Sequence, residues 1–167
     1  MGCKEHKDNA PRQVRCAVLT MSDTKDETTD ESGRIIRETL ALHGHTVDIY
    51  KVLKDDFDAI HKELVALSSN ENVDAIITTG GTGITSRDVT IDAVAPLLEK
   101  ELDGFGELFR MLSYKDIGSA AMLSRSLAGV TNKKVVICLP GSPKAVRLAM
   151  DSLVIPELSH LIWEANR

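Results

Sequence analysis

No apolar run in this sequence approaches the ~20 residues that a membrane-spanning helix needs. No membrane partner is therefore expected. Aromatic residues are scarce: one Trp, two Tyr and three Phe. Net charge is −5, and Lys and Arg form no stripe, so the footprint of a nucleic-acid binder is missing. Any anionic ligand would have to be held locally, by backbone N–H groups and a few placed cations. Cys3, Cys16 and Cys138 are an odd number without C-x-x-C spacing, which excludes a disulfide framework and a thiolate metal site. Cys16 and Cys138 lie in apolar runs, where Cys behaves as a small hydrophobe. A reducing cytoplasm fits this usage. His6, His43, His45, His61 and His160 have no ligand spacing and are assigned to no metal. The polar first residues lack the apolar middle of a secretory signal. Met1-Gly2-Cys3 is followed by His6 where an acylation motif wants Ser or Thr. There is no internal repeat and no low-complexity tract.

What is present is alternation. The 167 residues are enough for one domain with a sizeable core. Residues 1–13 read as a mobile arm, and 14–167 as the domain. "VRCAVLTM" (14–21), "VDAIITT" (73–79) and "KKVVICL" (133–139) are nearly continuous apolar runs, the pattern of strands covered on both faces. "HTVDIYKV" (45–52) alternates and reads as an edge strand. Between the strands lie helical patterns. "GRIIRETLALHG" groups Ile35, Ile36, Thr39, Leu40 and Leu42, and a second group is Phe57, Ile60, Leu64 and Leu67. "TIDAVAPLLEKEL" (90–102) also reads as helix. Residues 102–132 break the rhythm, as a helical insert, a short strand and a turn at Asn132-Lys133. The final helix should be kinked or split near Pro156. Strands alternating with helices imply an α/β fold with a mostly parallel sheet covered on both faces.

The chemistry-bearing residues fall at strand ends. "TTGGTGITSRDVT" (78–90) packs Gly80, Gly81 and Gly83 into four positions behind a buried strand and ahead of a helix. It is no Walker A loop, because no Gly-Lys-Ser/Thr follows, and it only nearly matches the dinucleotide fingerprint. Its place at a strand's C-terminal end is where open α/β sheets bind ligands. Consecutive glycines present N–H groups to a phosphate. A bare tight turn would need fewer. Asp88 reads either as a helix cap, a job Thr90 could also do, or as a Mg²⁺ ligand beside phosphates. Of Asp55 and Asp56, one caps the next helix and the other is left unexplained. "SDT" (22–24) and "LPGSPKAV" (139–146) end two further strands. In the latter, Ser142 suits a cap, Pro143 a first turn, and Lys144 could reach an anion. Phe105 and Phe109 read as core residues, with Glu107 between them.

Taken in order, "TTGGTG…RDVT", "GFGELFR", "LSRSLAG" and "LPGSPKAV" resemble the MoaB/Mog family of molybdenum cofactor biosynthesis, over nearly all of residues 13–160. They also resemble the G domain of gephyrin. The resemblance implies a three-layer α/β/α sandwich that binds molybdopterin. It implies an adenylyltransferase activity too: the molybdopterin phosphate attacks the α-phosphorus of ATP with Mg²⁺ present, and pyrophosphate leaves. By the same likeness Gly80, Gly81, Thr82 and Gly83 line the nucleotide site. Asp88 and Asp55 are the essential carboxylates and metal ligands. Asp55 is matched across a departure, since the family often has Pro-Asp where this chain has Lys54-Asp55-Asp56. Ser22, Asp23, Ser142 and Lys144 lie near the pterin and its phosphate. A homotrimer or homohexamer and a molybdate-inserting partner protein are further implications. A non-catalytic molybdopterin carrier is the alternative reading, against which the retained Arg87-Asp88 speaks.

Overall fold

The computed structural model describes residues 10–167. The arm expected over 1–13 lies mostly outside them, as does Cys3. In chain order the elements are β1 (Arg15–Met21), α1 (Glu31–Leu42), β2 (Thr46–Leu53), α2 (Phe57–Ser68), β3 (Ala75–Thr79), α3 (Thr90–Val94), β4 (Lys100–Glu101), α4 (Asp103–Ile117), β5 (Leu127–Thr131), β6 (Lys134–Leu139), α5 (Pro143–Ala149) and α6 (Ile155–Asn166). One sheet runs β2-β1-β3-β6-β5-β4. The four strands from β2 to β6 are parallel. β5 and β4 join antiparallel. β2 is an edge strand, as expected, but its alternation is broken: the register with β1 skips Asp48, so Val47 and Ile49 pack against opposite helix layers rather than sharing one face.

The continuous apolar runs are explained by layers on both faces. In β1, Cys16 and Val18 pack with Ile35, Ile36 and Leu40 of α1 and with Val146, Leu158 and Ile162 of α5 and α6. Ala17, Leu19 and Met21 face the other way, onto Ile60, Leu64 and Leu67 of α2 and Ile91 and Val94 of α3. Ile76, Val136 and Cys138 continue that second layer, and Ile77, Ile137 and Leu139 the first. The result is an α/β/α sandwich. Phe109 is 1% exposed within the first layer, and Phe105 packs against it from a partly buried position. Glu107 is exposed.

Two helix expectations need correction. The helix read over 90–102 stops at Val94 and gives way to a 3-10 turn at Ala95–Leu97. Pro96 has no N–H to continue an α-helix, and Lys100–Glu101 then pairs with β5 instead. Leu42 does not join the buried face of α1 but is 82% exposed. The last helix is split near Pro156 as expected, by a π-type turn at Met150–Val154, and Pro156 sits in the first turn of α6. The turn at Asn132-Lys133 is as expected: both residues have positive φ, 46° and 62°, as a tight right-twisted hairpin demands.

Candidate functional site

The loops after β1, β2, β3 and β6 all leave from the same edge of the parallel strands. Between β1 and β3 the order of connection reverses: β1 passes to β2 on one side, and β2 crosses back to β3 on the other. Crevices in open α/β sheets form at such a point.

The glycine turn is rooted there by close packing. Gly80 (φ +94°) lies against the Met21 carbonyl, and Gly81 (φ +63°) against the Thr90 hydroxyl and Asp55 Oδ1. A β-carbon at either position would collide. Thr90 clasps the turn twice, its hydroxyl donating to the Gly80 carbonyl at 2.9 Å and its N–H to the Gly81 carbonyl at 3.0 Å. Thr79 Oγ1 donates to the Pro140 carbonyl at 2.7 Å, binding the turn to the β6 loop. Thr82 is buried.

Asp88 is not a helix cap. The capping position ahead of α3 is Val89, which offers no side-chain cap, and Thr90 is spent on the glycines. The Asp88 carboxylate instead closes its own loop, with Oδ2 accepting from the Thr85 N–H at 2.8 Å and the Thr85 hydroxyl at 2.6 Å. Burial pushes this carboxyl up, but the Thr85 donors and the Gly83 N–H outweigh it and hold it below the usual range.

The adjacent carboxylates separate as their register suggests. Asp56 caps α2, accepting from the Ala59 N–H at 2.9 Å. Asp55, one residue earlier, turns toward Gly81. Its carboxyl is pushed up by burial and by the charges of Asp23 and Asp88, with Arg87 opposing. Asp23 receives the Arg87 guanidinium, Nε at 3.0 Å and Nη2 closer still, on Oδ2. Its Oδ1 takes the Asp55 N–H at 3.3 Å, and its carbonyl takes Lys54 Nζ at 2.7 Å. Asp23 thus joins three loops.

Ser22, Ser142 and Lys144 are less central. The Ser22 hydroxyl accepts the Lys25 N–H at 3.1 Å and shapes its own loop. Ser142 caps α5 through the Ala145 N–H, with Pro143 in the first turn. Lys144 Nζ lies 3.4 Å from Asp116. Ser142 and Lys144 line a small cavity of about 70 Å³ between α4 and α5, and the preceding Gly141 packs against Gly80.

One residue escaped the sequence reading. Arg125 Nε donates to the Gly83 carbonyl at 2.8 Å, and Nη2 to the Asp88 carbonyl at 2.6 Å. The same guanidinium forks onto both Asp92 oxygens at 3.1 and 3.0 Å. It clamps both ends of the glycine loop. The signal was there in "LSRSLAG", where an Arg sits alone among serines and apolar residues, but nothing nearby in sequence named its target.

Among the described residues no group of three or more His, Cys, Asp or Glu is gathered tightly enough to cage a metal. Mg²⁺ does not need such a cage, since it takes one or two carboxylates and fills its shell with phosphate oxygens and water. The oxygen donors of Asp55 and Asp88 beside N–H-rich glycines fit that arrangement. Asp55 in particular is under-compensated, as its raised carboxyl attests.

The chain is similar to known proteins over nearly its whole length. The family described as "Probable molybdopterin binding domain" matches residues 17–160. Molybdenum cofactor biosynthesis protein B of Bacillus anthracis is 54% identical over 168 residues, covering 100% of this chain and 99% of that protein. A crystal structure of a molybdenum cofactor biosynthesis protein B superposes with a TM-score of 0.91 at 53% identity, over 95% of this chain and 99% of the other. The tungsten cofactor synthesizing protein MoaB from Pyrococcus furiosus gives a TM-score of 0.84 at 37% identity, over 95% and 100%.

Proposed function

The chain belongs to the MoaB/Mog family of molybdenum cofactor biosynthesis proteins, and from that premise we propose that it adenylylates molybdopterin with Mg-ATP. The observation that carries the reading is the packing of Asp55 against Gly81 and of Asp88 against Gly83, at the end of the sheet where the connections reverse. In the proposed step a terminal phosphate oxygen of molybdopterin forms a bond to the α-phosphorus of ATP. The bond from that phosphorus to the bridging oxygen breaks, and pyrophosphate departs. Two polyanions must be brought together, so catalysis is mostly positioning and charge neutralisation. Gly80, Gly81, Thr82 and Gly83 would line the nucleotide phosphates, with Gly81 and Thr82 offering backbone N–H groups, because the Gly80 N–H is donated to the Leu139 carbonyl at 3.1 Å and the Gly83 N–H to Asp88. Asp55 and Asp88 would hold Mg²⁺, which supplies the neutralising charge. Arg125 and Thr90 keep the turn in shape and touch no reacting atom. Ser22, Asp23, Ser142 and Lys144 would face the pterin side.

The working unit is proposed to be residues 14–167 as one domain, in the cytoplasm, as a homotrimer or homohexamer that passes its product to a molybdate-inserting partner. Self-association is supported by an apolar surface on α4 and the turn after it, where Leu108, Met111, Tyr114, Ile117, Met122 and Leu123 are about half exposed or more.

The test is incubation with molybdopterin, ATP and Mg²⁺ and a search for adenylylated molybdopterin and pyrophosphate. Product is expected from the wild type. Asp88→Asn should bind molybdopterin and yield none. Wild-type binding without product would make the chain a carrier, and full turnover by Asp88→Asn would return that carboxylate to loop closure alone.

A further inference from the structure

We propose that Arg87 is a phosphate-binding residue which Asp23 holds aside, and that the guanidinium exchanges Asp23 for the ligand when a polyphosphate enters. The inference rests on the phosphate-site reading above and assigns to it a residue that reading left unused.

Three carboxylates, Asp23, Asp55 and Asp88, surround the mouth of the crevice, and a polyanion approaching it would meet net negative charge. Of the cations at this edge, most are committed. Arg125 is forked onto Asp92 and spent on two loop carbonyls. Lys144 is paired with Asp116 at 3.4 Å. Lys54 donates to a backbone carbonyl. Arg87 differs. Its side chain is 65% exposed, and both its contacts fall on a single oxygen of Asp23. That is not the two-on-two fork that makes Arg–carboxylate pairs strong. Exposed pairs of this kind contribute little to stability, so the contact is easily broken. The backbone beneath is already fixed, because Asp88 holds the Thr85 N–H and hydroxyl, and Thr85 Oγ1 accepts the Arg87 N–H at 3.3 Å. Exchange therefore asks only for a side-chain rotation at the tip of the glycine loop. Asp23 does not become an orphan when Arg87 leaves, because it keeps the Asp55 N–H.

A simple brace between two loops would predict something else. Isothermal calorimetry with pyrophosphate and with ATP separates the two, using wild type, Asp23→Asn, Arg87→Gln and the double variant. Thermal melts confirm that each is folded, as expected for a surface pair. Arg87→Gln should weaken both ligands by about tenfold, the scale of a lost charged hydrogen bond. Asp23→Asn should tighten them about two- to fivefold, the scale of an exposed pair. In the Arg87→Gln background that gain should vanish, since there is no guanidinium left to release. An equal gain in both backgrounds would mean that Asp23 acts through its charge alone and would overturn the exchange. So would wild-type affinity in Arg87→Gln. If the wild type binds neither ligand, the phosphate-site reading itself falls. If it binds them without coupling, only the exchange does.

Discussion

At the scale of single residues, the crevice sets stability against function. Asp55 is ionised at neutral pH at a cost, because burial and the Asp23 and Asp88 charges raise its carboxyl. Its protonated form is favoured by the fold, so its contribution is full below the ordinary carboxylate value and is lost as pH rises through the raised one. Asp55→Asn should therefore melt higher than wild type at pH 7 while losing most turnover. Asp56→Ala should do the reverse, dropping stability by about 1 kcal/mol as the α2 cap is lost and leaving adenylylation rates intact. Melting curves and product assays on both variants check the pair of outcomes. His45 offers a second pH-dependent case, far from the crevice. It is buried at the start of β2, and its Nδ1 accepts the Val14 N–H at 3.2 Å. Burial, and then the neighbouring His43, lowers its pKa. A lowered imidazole contributes stability above its ordinary value of about 6.5, and that contribution is lost as pH falls through the lowered one. Wild type should lose melting temperature between pH 7 and pH 5 more steeply than His45→Asn, whose side-chain oxygen can accept the same N–H without titrating.

Among the elements, the glycine turn is where conformation and contact can be pulled apart. Gly44 (φ +82°) ends α1 with nothing within 4 Å of the point a β-carbon would occupy, whereas Gly81 (φ +63°) abuts Thr90 and Asp55. Gly44→Ala should cost only the left-handed strain of roughly 1–2 kcal/mol. Gly81→Ala adds a collision to the same strain, so it should melt lower still and lose ATP affinity, as thermal denaturation and calorimetry would show. This contrast also marks what sequence could reveal. β1, β3 and β6 were legible because layers on both faces force near-continuous apolar runs. The split of roles between Asp55 and Asp56 was legible because a cap must directly precede Phe57. The early end of α3 was obscured by an apolar spacing that continued past Pro96. Arg125 was obscured because its targets, the carbonyls of Gly83 and Asp88, lie some forty positions away and carry no side-chain signature. Asp88 was read as cap or metal ligand because its partner, the Thr85 backbone, exists only once the loop has folded.

For the whole molecule, the apolar face of α4 is the feature a lone chain leaves unsatisfied. Exposed patches of this kind mark interfaces, and Met111 sits at 53% exposure within it. If the proposed assembly forms through this face, Met111→Glu should shift it toward monomer in sedimentation without lowering helical content; an unchanged sedimentation profile would remove α4 from any interface. The order of the sheet has a further consequence, for how the protein comes into being. β6 is the last strand to be synthesised, yet it lies between β3 and β5. Until it arrives, a growing chain holds β2, β1 and β3 with one edge of β3 bare, the kind of edge that invites mispairing. The register that closes it joins Thr79 to Leu139, a long-range pairing of the sort that slows folding. The crevice has the Pro140 carbonyl as one of its anchors, so it cannot form before that pairing. Acquisition of ligand affinity during refolding should therefore coincide with the slowest step of chain assembly, and an emerging chain would be inert until β6 has been made.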